Sequence, residues 1–210
     1  MSLSQNKITQ KTLHESICVI IPTYNNEKTL RRVINGVLLF TKQILIVNDG
    51  STDHTSTILE EFRDLNQIHF TKNKGKGMAL RAGFLKAKKL GYQHAITIDS
   101  DGQHFPENLP SFEKEILEAS NPILLIGSRN LTTENVPKKS SFGNKFSNFW
   151  YWFETGETLI DTQSGFRSYP LNNLPKRFFT NKFEFEIEVI VRAAWKGIEV
   201  KNIPIDVLYD

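Results

Sequence analysis

Length, composition and charge are those of an ordinary globular chain. The 210 residues are 39% hydrophobic and 23% charged, close to the averages of soluble domains. This composition excludes an intrinsically disordered chain, a collagen-like repeat and a simple coiled coil. A formal net charge of +3 is too small for a nucleic-acid binder that depends on neutralising phosphates.

Cysteine usage and the lengths of the apolar runs favour a cytoplasmic protein. Cys18, the single cysteine, has no second cysteine to pair with, which suits a reducing compartment. No apolar run approaches the roughly 18 residues that cross a bilayer. We therefore expect a cytoplasmic location, and contact with the cytoplasmic face of the membrane stays open.

Short apolar strands alternate with amphipathic helices up to Gly127. Strands are predicted at 17–21, 44–48, 68–70, 95–98 and 123–126. Helices are predicted at 27–39, from Asp53 to about 65, at 78–90 and at 106–119. Near-continuous apolar strands separated by helices indicate an α/β fold with a mostly parallel, doubly wound sheet and helices on both faces.

The alternation is lost after Gly127. Residues 130–141 are polar and aperiodic and predict a long loop, followed by an aromatic helix at 143–155. Four aromatic residues share one face of that helix, for which core packing is favoured over a membrane-interface role: Phe146, Phe149, Trp150 and Phe153. A helix at 183–195 and a strand at 203–207 follow, and because that strand stops at Asp210 without a turn or cap, we expect a longer natural chain.

Chemically active residues follow each of the five predicted strands. In doubly wound sheets, ligands bind beyond the carboxyl ends of the strands, so these loops predict one site for a charged, ring-bearing, metal-bound ligand. The segments that carry it are Pro22-Thr23-Tyr24-Asn25-Asn26-Glu27, Asp49-Gly50-Ser51-Thr52-Asp53, Asn73-Lys74-Gly75-Lys76-Gly77, Asp99-Ser100-Asp101-Gly102-Gln103-His104 and Gly127-Ser128-Arg129.

The acidic pair Asp99 and Asp101 predicts a cation site. Residues two apart in an extended segment point the same way, so both carboxylates can share one divalent ion, and Gln103 can add an amide oxygen. All-oxygen ligands select Mg²⁺ or Mn²⁺, which keep positions open for phosphate oxygens. A diphosphate ligand is therefore expected.

Two basic residues are candidates for anion contacts. Lys76 lies between two glycines before a helix, where a backbone can approach an anion, and Arg129 ends a strand, where it suits a two-point phosphate contact. The chain has no Gly-x-x-x-x-Gly-Lys-Ser/Thr loop and no Gly-x-Gly-x-x-Gly after its first strand. These absences disfavour a P-loop ATPase or GTPase and an enzyme with a dinucleotide cofactor.

These segments, together with Asp161-Thr162-Gln163-Ser164-Gly165-Phe166-Arg167, resemble family 2 glycosyltransferases, and are most similar to dolichyl- or polyprenyl-phosphate sugar synthases. The resemblance covers about residues 16–208. It implies a GT-A fold, a UDP- or GDP-linked sugar donor, a divalent cation and inversion at the anomeric carbon. It divides a single domain into an N-terminal extension (1–15), a nucleotide-sugar half (16–127) and an acceptor half (128–210).

The resemblance also implies roles for individual residues. The metal would be held by Asp99, Asp101 and Gln103, with Asp101 and Arg129 at the reacting centre. The donor-binding residues would be Pro22, Tyr24, Glu27, Asp49, Ser51, Lys76, Asp99 and Ser100.

On the acceptor side, Asp161 is the candidate general base for a hydroxyl acceptor. A lipid phosphate is already ionised and needs only cations to hold it, so the two acceptor classes require different residues. The acceptor-binding candidates are Arg129, Lys138, Lys139, Ser164 and Arg167. Glu184, Glu186 and Glu188 are two apart and cannot share a helix face, although Glu186 is a candidate for pointing toward the acceptor pocket.

Three alternatives stay open on sequence grounds. A polyprenyl or dolichyl phosphate acceptor is favoured over a glycan hydroxyl in polysaccharide or glycoconjugate synthesis. A nucleotidyltransferase is disfavoured, because no glycine-rich basic loop follows the first strand. A non-catalytic nucleotide-binding module on the same scaffold is disfavoured by the intact carboxylates Asp49, Asp99 and Asp101.

Overall fold

The computed structural model describes residues 14–129 and 138–208, without the side chains of 138–142. Nearly all of the predicted N-terminal extension and residues 130–137 of the predicted loop lie outside this range. The described strands are β1 (Ile17–Thr23), β2 (Ile44–Asn48), β3 (Asn66–His69), β4 (His94–Thr97), β5 (Ile123–Arg129), β6 (Arg167–Pro170) and β7 (Glu199–Ile205). The helices are α1 (Leu30–Leu38), α2 (Thr55–Glu60), α3 (Lys76–Lys89), α4 (Leu109–Glu118, after a 3-10 turn at Pro106–Asn108), α5 (Lys138–Thr155) and α6 (Glu184–Trp195).

One sheet contains all the described strands, in the order β3-β2-β1-β4-β6-β5-β7. Neighbouring strands are parallel except where β6 pairs with β4 and β5. Alternate residues of β1 face opposite layers: Val19 packs in the core beneath α1, α2 and α4, and Ile20 in the core beneath α3, α5 and α6. The predicted mostly parallel sheet with helices on both faces is confirmed.

The antiparallel strand β6 is absent from the sequence prediction. Its four residues include an arginine and a proline, so no apolar run marks it. It is a strand because β4 and β5 supply hydrogen-bonding partners on either side, with Arg167 in register with Thr97 and with Ile126. This strand arises from tertiary pairing rather than from local propensity.

Two predictions about the region of α5 are wrong. Residues 138–141 belong to the helix rather than to a loop, because the aromatic period starts only at Phe146 and its polar first turn carries no such signal. The aromatic face is not in the core: Phe146, Phe149, Trp150 and Phe153 are 41–63% exposed and contact one another edge to face or stacked. Tyr151, between them in sequence, is fully buried.

The exposed aromatic face of α5 does not make it a membrane span. Among the described residues, none of the helices combines the length and the apolarity needed to cross a bilayer. The carboxyl ends of β1, β2 and β4 meet at one edge of the sheet, where β1 ends at Thr23, β2 at Asn48 and β4 at Thr97. The loops that leave this edge carry the predicted site residues.

Candidate active site

A cavity of about 570 Å³ opens at this edge of the sheet. Seven of the sequence candidates line it: Pro22, Tyr24, Asp49, Lys76, Asp99, Ser100 and Asp101. Asn73, from one of the predicted segments, also lines it, as do Lys182 and Phe183, which were not predicted. Lys182 and Phe183 come from the segment before α6, more than a hundred residues from Asn73, and no local pattern predicts that approach.

Glu27 and Ser51, both predicted to bind the donor, hold two loops together by hydrogen bonds. Ser51 Oγ accepts a hydrogen bond from the backbone nitrogen of Asn25 at 3.0 Å, and Glu27 Oε2 accepts one from that of His54 at 2.9 Å. The backbone nitrogen of Glu27 in turn donates to Asp53 Oδ2 at 3.1 Å. These bonds fix the shape of the cavity rim, and neither residue is among the residues that line the cavity.

Asp49 fixes the glycine loop that precedes α3. Its two carboxylate oxygens accept hydrogen bonds from the backbone nitrogens of Lys74 and Gly75, both at 2.8 Å. Gly75 has a φ of 96°, in the region that favours glycine. By fixing this loop, Asp49 positions Lys76, the first residue of α3, at the cavity wall.

Lys76 joins two carboxylates at the centre of the site. Its Nζ lies 2.8 Å from Asp99 Oδ1 and 3.0 Å from Glu186 Oε2. Burial disfavours the charged forms, but the opposite charges prevail: the pKa of Asp99 is held below its ordinary value and that of Lys76 is raised. Lys76 and Asp99 are therefore a stable ion pair at neutral pH.

Gly165 packs directly against Asp99. A Cβ at this position would lie 2.0 Å from Asp99 Oδ2, closer than any non-bonded contact allows. The segment that precedes β6 thus reaches the carboxylate only because residue 165 has no side chain. The close approach of this backbone to Asp99 explains why the Ser164-Gly165-Phe166-Arg167 motif has a glycine.

The predicted metal ligands suit a hard divalent cation by their chemistry. Asp101 is exposed on the turn after β4, and its Oδ1 accepts a hydrogen bond from the backbone nitrogen of Gln103 at 2.9 Å. In the described part of the chain, no three acidic, histidine or cysteine side chains are arranged so that they could hold a metal ion together. The predicted donor set of two carboxylates, Asp99 and Asp101, with the Gln103 amide would suit a hard ion that shares its remaining positions with phosphate oxygens.

Ser100, predicted to bind the donor, is buried and holds this turn in place. Its Oγ accepts a hydrogen bond from Asn26 Nδ2 at 2.8 Å, and its carbonyl oxygen accepts one from Thr29 Oγ1 at 2.6 Å. Both partners lie between β1 and the first turn of α1. The turn that carries Asp99 and Asp101 is thereby fixed to the loop that carries Tyr24.

A second cavity, of about 320 Å³, adjoins the first, and Phe183 lines both. The other residues around it are Arg129, Thr162, Gln163, Arg167, Glu186 and Ile187. Arg129 and Arg167 are sequence candidates for the acceptor side. Lys138 and Lys139 lie in the first turn of α5, and their side chains are outside the described residues.

Arg129 and Asp161 form a two-point ion pair beside this cavity. Arg129 Nε and Nη2 lie 2.6 and 3.0 Å from the two oxygens of Asp161, which is fully buried. Asp161 Oδ1 also accepts a hydrogen bond from the backbone nitrogen of Gln163 at 2.9 Å. Burial raises the pKa of Asp161, but Arg129 outweighs it and the pKa lies below its ordinary value.

Arg167 and Ser164 are part of the framework of the second cavity. The Arg167 guanidinium is fully buried and donates to the carbonyl oxygens of Ser164, Thr162 and Glu186 at 2.6, 2.9 and 2.6 Å. Ser164 is also buried, and its Oγ lies 3.4 Å from His104 Nε2. These contacts tie β6 to α6 and to the segment that carries Asp161.

Comparison with known proteins gives a consistent result. The family model described as glycosyl transferase family 2 matches residues 18–174. Polyprenol monophosphomannose synthase of Mycolicibacterium smegmatis is 32% identical over 94% of this chain and 77% of its own length. A UDP-N-acetylglucosamine–dolichyl-phosphate N-acetylglucosaminyltransferase of Methanococcus voltae is 29% identical over 92% of this chain and 86% of its own length.

The fold is shared with solved glycosyltransferases. Glucosyl-3-phosphoglycerate synthase of Mycobacterium tuberculosis, crystallised with Mn²⁺, UDP and phosphoglyceric acid, superposes with a TM-score of 0.72 at 16% identity, over 92% of this chain and 70% of that one. The expected GT-A fold is confirmed. With a family model that covers most of the sheet and relatives that match almost the whole chain, the protein belongs to glycosyl transferase family 2.

Proposed function

We propose that this protein transfers a sugar from a nucleoside diphosphate sugar to a polyprenyl or dolichyl phosphate, with inversion. The observation that carries the proposal is the Arg129–Asp161 pair beside the second cavity. Both oxygens of Asp161 already accept hydrogen bonds from Arg129 or Gln163, and its lowered pKa makes it a weak base. An acceptor that is already ionised needs no base, and a phosphate meets that condition.

The donor is assigned to the larger cavity. Its carboxylates, its lysine and the ring of Tyr24 suit a nucleoside diphosphate. A divalent cation held by Asp99, Asp101 and Gln103, Mg²⁺ or Mn²⁺, would neutralise charge on the diphosphate. UDP occurs in the name of the methanococcal relative and in the mycobacterial structure, and GDP stays an equal candidate for this chain.

The charged side chains around the two cavities account for the steps of sugar transfer. The bond between the anomeric carbon and the diphosphate breaks, its electron pair leaves with the diphosphate, and an acceptor phosphate oxygen forms the new bond from the opposite face. The Lys76 ammonium beside Asp99 stabilises the negative charge that develops on the leaving group. Arg129 lines the second cavity, and the positive charge of its guanidinium attracts an acceptor phosphate there while its Nε and Nη2 stay bonded to Asp161.

We propose further that α5 lies on the membrane beside the acceptor. The exposed aromatic rings of Phe149, Trp150 and Phe153 suit the interface between lipid headgroups and acyl chains. Gln163, which lines the second cavity, donates to Ser147 Oγ of α5 at 3.1 Å. The aromatic helix therefore adjoins the cavity assigned to the lipid phosphate.

The test is a transfer assay with labelled UDP-glucose, UDP-N-acetylglucosamine and GDP-mannose, each with Mn²⁺. Acceptors are a short polyprenyl phosphate in detergent and an oligosaccharide. We expect product only with the lipid phosphate, and none from an Asp101→Asn variant. Transfer to the oligosaccharide alone would contradict the proposed acceptor, and absence of any transfer would contradict the proposed activity.

A further inference from the structure

Glu186 carries a buried carboxylate oxygen that has no hydrogen-bond donor among the described residues. The residue is 7% exposed and lies in the first turn of α6. Its Oε2 is 3.0 Å from Lys76 Nζ, whereas Oε1 has only an ionic neighbour, Arg167 Nε at 3.7 Å. That nitrogen already donates to the Ser164 carbonyl oxygen at 2.6 Å. Because a buried acceptor without a donor is costly, a ligand that donates to Oε1 would complete the bonding of Glu186.

Glu186 stands between the two cavities. It lines the second cavity, and its partner Lys76 lines the first. On the proposed function, the diphosphate lies beside Lys76 and Asp99, and the acceptor phosphate lies beside Arg129. The sugar has to occupy the space between these two phosphates, which is the space that Glu186 borders.

The charge of Glu186 selects the kind of group that can meet Oε1. Phosphate oxygens at neutral pH are negatively charged acceptors, so a carboxylate repels them. A sugar hydroxyl is a donor, and its hydrogen bond to a carboxylate is of the strong, charge-assisted kind. We propose that Glu186 Oε1 accepts a hydrogen bond from a hydroxyl of the donor sugar and so determines sugar specificity; this inference rests on the proposed function.

The experiment compares Glu186→Gln with Glu184→Gln, a matched change at an exposed position of the same helix turn. Because Lys76 only donates, the amide oxygen of the introduced glutamine is expected to face Lys76, which puts an NH₂ group where Oε1 was. We expect kcat/KM for the preferred nucleotide sugar to fall about 10- to 100-fold in Glu186→Gln. Affinity for the nucleoside diphosphate without its sugar, measured by calorimetry with Mn²⁺, should change less than about twofold.

Deoxy sugar donors make the test specific. One deoxy analogue should reduce kcat/KM of the wild-type protein by the same factor as Glu186→Gln, and should not reduce that of the variant further. The Glu184→Gln variant should behave like wild type throughout. If Glu186→Gln does not fold, Glu186→Asp takes its place in the same comparison, and the wild-type series can still overturn the inference, because at least one deoxy analogue must be impaired.

Three results would overturn the inference. An equal loss of affinity for the nucleoside diphosphate and for its sugar derivative would mean that Glu186 acts only by positioning Lys76. If every deoxy donor gives the same kcat/KM as the parent sugar, Oε1 does not contact the sugar. The same conclusion follows if the loss caused by a deoxy donor adds to the loss caused by Glu186→Gln. Failure of UDP, GDP and their sugars to bind the wild-type protein would refute the proposed function itself, and is distinguishable from the other two.

Discussion

Arg129 meets both carboxylate oxygens of Asp161, with Nε and Nη2 at 2.6 and 3.0 Å. The pair joins the end of β5 to the segment that precedes β6. Asp161 is fully buried and the Arg129 side chain is 16% exposed, so the attraction is only weakly screened by water. The pair has a structural and a chemical consequence, and both can be measured.

Replacing Asp161 by Asn should destabilise the fold without abolishing turnover. A buried guanidinium that loses its carboxylate is costly, and we expect a loss of about 3 kcal/mol in the free energy of unfolding. With a phosphate acceptor, some transfer should persist, because no base is lost. Urea denaturation and the transfer assay measure the two effects, with Asp64→Asn, at an exposed position, as the control. Complete loss of transfer in a folded variant would favour a hydroxyl acceptor.

Acid should weaken the fold through the same residue. The pKa of Asp161 is lower in the folded protein than its ordinary value of 3.8. Its contribution to stability is therefore complete well above pH 3.8 and is lost as the pH falls through the folded-state pKa. Unfolding free energies measured between pH 6 and about pH 3 should fall less steeply for Asp161→Asn than for wild type. Parallel curves would show that the carboxylate is not stabilised in the folded state.

Adding a methyl group at Gly165 should disrupt the donor side. The Cβ of Gly165→Ala would lie 2.0 Å from Asp99 Oδ2, so the carboxylate or the strand has to move. We expect nucleotide affinity with Mn²⁺ to fall at least about tenfold, because misplaced ligands bind metal poorly. The control is Gly143→Ala within α5, whose Cβ comes no nearer than 3.3 Å to the flexible Gln163 side chain. Equal affinities in the two variants would refute this account of Gly165.

The increase in nucleotide affinity that Mn²⁺ causes should depend on Asp101, an exposed residue. Asp101 lies on the surface of the turn after β4, so Asp101→Asn should change the free energy of unfolding by no more than about 0.5 kcal/mol. It should, however, remove most of the Mn²⁺-dependent increase in nucleotide affinity. Calorimetric titrations with and without EDTA measure that increase. An undiminished Mn²⁺ effect in the variant would place the cation elsewhere.

The aromatic face of α5 should govern binding to lipid. Replacing Phe149 and Phe153 by Ser removes two exposed rings and should reduce co-flotation with anionic liposomes about tenfold or more. A matched pair is Leu85→Ser with Leu117→Ser, exposed leucines on α3 and α4, and it should float as wild type does. Similar losses in both pairs would indicate general hydrophobic adsorption.

The sequence predicted what depends on local pattern. The apolar runs of β1, β2, β4 and β5 are buried on both faces, which is the pattern of parallel strands covered by helices. The loops that follow the parallel strands β1 to β4 leave from one edge of the sheet, so residues such as Lys76 and Asp99 could be assigned to one site from the order of strands and loops alone.

The sequence could not reveal what depends on distant approach. Glu186 was singled out among three alternating glutamates and lines the second cavity, but its ion pair with Lys76, 110 residues earlier in the chain, follows from no local pattern. Arg167 has the composition of a phosphate ligand, yet its guanidinium is bonded to three backbone carbonyls. The aromatic spacing of α5 was recognised, but periodicity does not say whether a face meets core or solvent.

The position of Arg167 in the sheet bears on how such enzymes diversify. As the first residue of β6 it is in register with Thr97 of β4 and with Ile126 of β5. The strand that follows the proposed acceptor residues is thus inserted between β4 and β5, within the sheet whose loops form the proposed donor site. Grafting the acceptor portion of one enzyme onto another would require the same strand register. Changes in acceptor are therefore expected to accumulate as point substitutions around the second cavity rather than by exchange of whole segments.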